Sequence, residues 1–95
     1  MYYIIEKEGN IMKHVEYTPR GVCSTKIVFD IDDQGLIRNL AFTNGCNGNL
    51  KAIGKLCEGQ KAEHIKTLLA GNTCYSRPTS CADQLSKAIA QNLKD

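Results

Sequence analysis

The residues best equipped for chemistry in this chain are its five cysteines, Cys23, Cys46, Cys57, Cys74 and Cys81. A thiolate can attack an electrophile, exchange with a disulfide or bind a thiophilic metal. Five in 95 residues is a high count, and an odd one, so complete pairing into disulfides leaves a thiol over. Structural zinc sites usually announce themselves by paired C-x2-C knuckles. The closest pair here, Cys74 and Cys81, has six residues between them. On spacing alone three readings stay open: a metal or cluster held by well-separated thiols, a redox pair, or thiols buried as small apolar side chains. They make different demands. Zinc needs four sulfurs converging at about 2.3 Å, whereas a disulfide needs only two Cα atoms within about 7 Å.

The elements that would position these thiols are legible as strands followed by helices. Val15–Thr18 reads as a strand leading to Pro19 and Gly21. Thr25–Asp32 alternates, with Ile27, Phe29 and Ile31 on one side and Lys26 and Asp30 on the other. Asp32-Asp33-Gln34-Gly35 is turn chemistry. Leu36–Thr43 returns with Leu36, Leu40 and Phe42 on one face and Ile37 and Ala41 on the other. The period then changes. Leu50, Ile53, Leu56 and Cys57 recur at helical spacing, with Gly59 to close that helix. A second helix, from about Lys61 to Ala70, would bury Ala62, Ile65, Leu68 and Leu69. A third opens at Ser80, with Ser80 and Asp83 as a capping box and Leu85, Ala88, Ile89 and Leu93 as its apolar stripe. The pattern predicts an α+β fold, a short antiparallel sheet from the N-terminal half covered by two to three helices from the C-terminal half.

On this reading Cys23 precedes a strand, Cys46 lies in a Gly/Asn loop at the start of the first helix, Cys74 lies in the loop after the second, and Cys81 begins the third. All four fall at element ends, where loops can converge and backbone N–H groups are free. Helix N-termini, where Cys46 and Cys81 fall, stabilise negative charge. Cys57 lies on an apolar helical stripe and reads as core.

Several function classes receive no support. A net charge of +2, with Lys and Arg interspersed among Asp and Glu, is an ordinary solvated surface, so nucleic acid is not an expected partner. The apolar runs are too short to span a bilayer, and the acidic opening Met1–Glu8 is not a secretory signal. The cytoplasm is the expected compartment and no membrane the expected partner. His14, in a strand, and His64, on the second helix, read as surface or packing residues. Gly45-Cys46-Asn47-Gly48-Asn49 is a loop-to-helix joint that lacks the closing Gly-Lys-Ser/Thr of a phosphate loop.

Residues 1–11 differ in character from the rest, and two readings stand side by side. Lys7-Glu8-Gly9 can be encoded by a purine-rich ribosome-binding sequence a short distance before Met12, which would make these residues a translated leader and residues 12–95 the single domain. Alternatively, Tyr2–Glu6 is β-rich and would form an edge strand.

Thr79-Ser80-Cys81-Ala82-Asp83 resembles the Thr-Ser-Cys-Pro-Asp signature of the TSCPD domain family, with Ala82 where the family has proline. Gly21-Val22-Cys23-Ser24, Phe42-Thr43-Asn44-Gly45-Cys46 and Leu69-Ala70-Gly71-Asn72-Thr73-Cys74 resemble the family's other blocks, so the likeness runs from about Tyr17 to Ile89. The chain is similar to the short, stand-alone branch with four characteristic cysteines, which map to Cys23, Cys46, Cys74 and Cys81. The resemblance implies kinship with a C-terminal domain of adenosylcobalamin-dependent ribonucleotide reductases. That kinship carries the label ribonucleoside-diphosphate reductase, but 95 residues cannot enclose a radical generator, a substrate barrel and paired active-site thiols. The expectation is an accessory part, not a complete enzyme.

Three functions follow in order of expectation. The first is a four-cysteine module holding zinc or an iron–sulfur cluster through Cys23, Cys46, Cys74 and Cys81, assisting a ribonucleotide reductase or another enzyme of nucleotide metabolism and compatible with a homodimer. The second is a thiol–disulfide carrier for a reductase, exchanging at Cys74 and Cys81. The third is a nucleotide-binding module using Lys51, Lys55, Lys61 and Lys66.

Overall fold

The computed structural model describes residues 1–93. Four strands come first, β1 (Tyr2–Lys7), β2 (Asn10–Tyr17), β3 (Lys26–Asp32) and β4 (Ile37–Thr43). Three helices follow, α1 (Asn47–Cys57), α2 (Ala62–Leu69) and α3 (Cys81–Asn92). The strands form one antiparallel meander in the order β1-β2-β3-β4, and the helices lie on one face of it, giving the predicted α+β arrangement. Val15, Ile27, Phe29 and Ile37 of the sheet close with Leu85 and Ile89 of α3 into a fully buried centre. Each such side chain contributes about 1.5–3 kcal/mol by leaving water, more than any single cap or surface pair in the molecule. Among the described residues no helix is long and apolar enough to cross a membrane.

The first hairpin is longer than its apolar pattern shows. β2 begins at Asn10, five residues before the Val15 start expected, because its first half carries no buried alternation. Glu8 and Gly9 both have positive φ, 54° and 80°, and form the two-residue turn between β1 and β2. β1 is an edge strand, paired to β2 from Tyr2↔Val15 to Lys7↔Asn10.

In β4, strict alternation fails for a definite reason. Pairing runs Val28↔Ala41 and then Asp30↔Arg38, so Asn39 and Leu40 together oppose the single Phe29. This β-bulge has Asn39 in the left-handed region at φ 59°. The extra residue turns Ile37 to the core beside Leu40, whereas alternation places them on opposite faces; Leu36 stays half-buried and instead bridges to Lys61. The Asn39 amide donates to Asp30 Oδ2 at 2.9 Å, and its backbone N–H donates to Glu58 Oε1 at 2.9 Å. The bulge thereby ties β4 to β3 and to the end of α1.

The helical stripes are narrower than the apolar residues imply. α1 buries Leu50 and Cys57 with Ile53 partly covered, while Leu56 lies one position off the stripe and is 75% exposed. α2 buries Ala62 and Ile65, and Leu68 is 64% exposed. α3 is the central helix and buries even Asp83, Gln84 and Ser86 in its opening turns.

That opening is held by hydrogen bonds as well as by the burial of Ala82 and Leu85. Ser80 Oγ caps α3 by accepting from the Asp83 N–H at 3.1 Å, one half of the predicted capping box. The other half is rerouted: the Asp83 carboxylate accepts from Thr79 Oγ1 at 2.5 Å and from the Gly71 N–H at 2.7 Å. These donors, first Thr79 and then Gly71, hold the Asp83 carboxyl below its usual value. Ser80 Oγ also donates to the Asn72 carbonyl. Gln84 completes the set, donating to Thr79 Oγ1 at 3.1 Å and accepting from the Arg20 N–H at 3.1 Å.

Two outcomes are expected. Asp83→Asn should lower stability at pH 7 by about 1–3 kcal/mol, because buried donors lose their charged acceptor. A carboxyl depressed in the folded state stabilises above its ordinary range and ceases to do so as pH falls through about 4 and below. The gap between wild type and variant, read by urea unfolding at pH 7, 5 and 3, should therefore close toward the acid end. At the bulge, Asn39→Val should cost about 1–3 kcal/mol in the same assay, since a β-branched residue resists positive φ, and Asn39→Gly should cost less.

Candidate functional site

Cys23 and Cys46 are brought together by the register of β3 and β4. The pair Lys26↔Thr43 ends the ladder, and Cys23 lies three residues before Lys26 as Cys46 lies three after Thr43. The hairpin mouth is stitched by the Thr25 N–H to the Thr43 carbonyl at 2.8 Å and by Asn44 Nδ2 to Thr25 Oγ1 at 3.0 Å. Asn44 and Gly45 then turn through positive φ, 63° and 95°, into α1. At Gly45 a side chain is disfavoured twice over, by the positive φ and by crowding, since a Cβ would lie 2.8 Å from Leu50 Cδ1 and 3.3 Å from the Ser24 nitrogen. That close approach seats the Cys46 loop against the Cys23 loop. Cys46 is the N-cap of α1 and makes no side-chain cap hydrogen bond.

Cys74 and Cys81 are brought together by the polar network that opens α3. Cys81 is the first residue of that helix, and its Sγ lies 3.1 Å from the hydroxyl of buried Ser24. Cys74 sits in a tight turn closed by the Arg77 N–H to the Cys74 carbonyl at 2.9 Å. The ends of that loop are pinned by Asn72 on Ser80 and Gly71 on Asp83. Arg77 reaches back across the opening, with Nη1 3.6 Å from Cys23 Sγ and 3.5 Å from the Gly21 carbonyl.

The result is one cleft of about 200 Å³ lined by Cys23, Cys46, Cys74 and Cys81, with Leu50, Ile53 and Arg77 among its walls. Cys23 and Cys46 are exposed, and Cys74 and Cys81 half-buried. The N-terminal ends of α1 and α3 both open onto it, and no acidic residue lines it. Positive helix ends and a guanidinium make the cleft locally positive. All five cysteines are free thiols. Among the described residues no group of three or more His, Cys, Asp or Glu side chains stands in position to hold a metal ion, so the four sulfurs share a cleft without meeting at a common centre. As a donor set, four thiols suit zinc or an iron–sulfur cluster.

The other residues with chemical potential lie elsewhere. Cys57 is buried at 3% exposure, and burial pushes its thiol above the usual value. His14 lies on the sheet face away from the helices, its Nδ1 2.6 Å from Asp30 Oδ1 and its Nε2 3.2 Å from Glu16 Oε2. His64 is exposed on α2. Lys51 and Lys55 border a separate cleft of about 500 Å³ beside β4, and Lys61 and Lys66 are not among the residues that line it. Sequence reasoning missed Ser24 and Arg77 as neighbours of the thiols. For Ser24 the signal is its place next to Cys23 and before a strand; for Arg77 sequence offers none, because its reach to Cys23 spans 54 positions.

Neither the curated proteins nor the solved structures provide a match. The family model of the TSCPD domain matches residues 5–93, a span that takes in β2 to β4, all three helices and all four cleft cysteines. The chain belongs to the TSCPD domain family.

Proposed function

We propose that this chain is a four-cysteine binding module that takes up a single zinc ion or an iron–sulfur cluster through Cys23, Cys46, Cys74 and Cys81. One observation carries the reading: thiols from four separated stretches line one cleft, while the fifth, Cys57, is turned into the core. The flanking helix ends and Arg77 give the cleft positive surroundings. Cys23, Cys46 and Cys74 lie in loops or at a cap, so drawing the sulfurs to one centre moves loops and leaves the sheet in place. The bound group would supply cross-linking of these loops, which a core of this size benefits from. The resemblance to a reductase C-terminal domain supports a role beside an enzyme of nucleotide metabolism, with the cytoplasm as its compartment.

A second reading draws on Cys74 and Cys81 alone. Both are half-buried and line the same cleft, with the N-terminus of α3 at Cys81. In that reading their two thiols become a disulfide while a partner's disulfide is reduced to two thiols, so electrons and protons balance.

Elemental analysis and an absorption spectrum of anaerobically purified protein separate the two. Binding predicts about one zinc per chain, or an iron–sulfur chromophore, that is lost in Cys46→Ser. Serine is a good N-cap and Cys46 makes no cap bond, so the variant should fold and the loss should report ligation. Cys57→Ala should keep the metal and lose only about 1 kcal/mol of stability from its small cavity. A metal-free, colourless, folded wild type would overturn the binding reading. Trapping of a partner as a mixed disulfide with Cys81→Ser or Cys74→Ser would then establish exchange.

A further inference from the structure

The two edges of the sheet are treated differently. At β4 the loop after α1 lies along the strand: the Gly59 N–H donates to the Ile37 carbonyl at 2.8 Å, and the Ile37 N–H donates to the Gln60 carbonyl at 2.9 Å. At β1 nothing comparable is present among the described residues. The strand has no proline, glycine or bulge to blunt it. It exposes Tyr2, Tyr3 and Ile4 at 51%, 46% and 61%, and Ile11 beside it at 58%.

The hydrogen bonds already made decide which backbone groups remain. Met1 and Glu16 exchange both of their bonds, at 2.8 and 2.9 Å. Antiparallel pairing alternates, so Tyr3, Ile5 and Lys7 also point their N–H and C=O toward β2. Tyr2, Ile4 and Glu6 therefore point theirs outward, over a strand surface that is largely apolar. We propose that a second copy of this chain occupies this edge, with the two β1 strands antiparallel and Ile4 opposite Ile4 at the two-fold axis, so that the two sheets become one.

Only a register pairing even-numbered residues lets the outward groups bond to each other. Centring it on Ile4 sets Tyr2 against Glu6 and Tyr3 against Ile5, with an apolar residue as the only one that meets itself. The helices of both copies then share one side of the sheet. Tyr3 against Ile5 is an aromatic–β-branched pair of the kind that stabilises sheets. Charge agrees as well. The Lys13 ammonium lies 4.4 Å over the Tyr2 ring, so the second copy's Glu6, opposite Tyr2, arrives next to a cation, and symmetry repeats the match. Ile4 also borders a hollow of about 330 Å³ with Ile11, Met12 and Leu93, at the end of α3.

The test is the molar mass of the full chain, by size exclusion with light scattering from roughly 5 to 200 μM, because association is concentration-dependent. Wild type is expected at twice the chain mass. Ile4→Lys sets two ammonium groups face to face and should weaken the dimer by about a hundredfold or more. Ile4→Pro removes an outward N–H while sparing the bonds to β2, and should have the same effect with an unchanged far-UV circular dichroism spectrum. Leu68→Lys, on the exposed side of α2, should leave the dimer intact. A wild type that stays monomeric throughout overturns the proposal and leaves the edge to a foreign strand. Ile4→Pro dimerising as tightly as wild type, or Leu68→Lys dissociating the dimer, overturns it in favour of another surface.

Discussion

A carboxylate that has left water must be met by donors, and the donors that meet Asp83 come from separated stretches of chain. Gly71 contributes the end of the second helical segment, Thr79 the approach to α3, and Asp83 itself the first turn of that helix. The loop between them is thereby closed, and Cys74 within it is brought to the same cleft as Cys81. Through Thr79 and Gln84 the chain of contacts continues to the backbone of Arg20, three residues before Cys23. One buried polar network thus anchors three of the four cysteine segments. Such a network is worth most when every member is satisfied, and among the described residues no buried side-chain polar atom lacks a partner.

The fourth segment is placed by a different device, the register of the β3–β4 hairpin. Register is rigid because a one-residue slip would turn Ile27, Phe29 and Ile31 out of the core. The ladder that ends at Lys26↔Thr43 fixes where the loops carrying Cys23 and Cys46 begin. The bulge at Asn39 works in the same sense. It lets Ile37 and Leu40 share the buried face while the Asp32 end of the hairpin is fixed separately. There burial pushes the Asp32 carboxyl up, but the Leu36 and Gln34 N–H groups and Arg38 outweigh it and hold the carboxyl below its usual value. Cys74 and Cys81 are therefore placed by hydrogen bonds at a helix entrance, Cys46 by apolar registration of a sheet, and Cys23 by both.

This division explains what could be read in the sequence. β3 and its turn were legible because Ile27, Phe29 and Ile31 alternate without interruption and Asp32-Asp33-Gln34-Gly35 has only one sensible use. α3 was legible because Ser80 and Asp83 stand where a cap and its partner belong. The buried fate of Cys57 followed from its place seven residues after Leu50. What was not legible depends on single residues with long-range roles. Asn39 in the left-handed region shifts the faces of β4, and nothing local marks it apart from its tolerance of positive φ. Leu56 and Leu68 look like stripe residues until the neighbours they would need turn out to lie on other faces. The long β1–β2 hairpin escaped because half of it has no buried face, although Glu8-Gly9 between β-rich runs is compatible with its turn. Convergence of the cysteines could have been found for one pair: Cys23 and Cys46 are equidistant from a hairpin whose turn was already identified.

The helix that organises the thiols also separates them from the open edge of the sheet. α3 starts at Cys81, on the cleft, and runs to Asn92, beside the hollow near Ile4 and Ile11. Twelve helical residues span about 18 Å at 1.5 Å each, so events at one end do not crowd the other. Along that length Leu85, Ala88 and Ile89 are locked at 0% exposure against the sheet, which leaves the helix little freedom to slide or rotate. A change at the cysteines is therefore absorbed by the loops that carry Cys23, Cys46 and Cys74, where the backbone is held by a few hydrogen bonds, and not by α3. The rigid part of the cleft is the Cys81 wall and the adjustable part is the other three, an asymmetry that suits a site whose donors must close around what they bind.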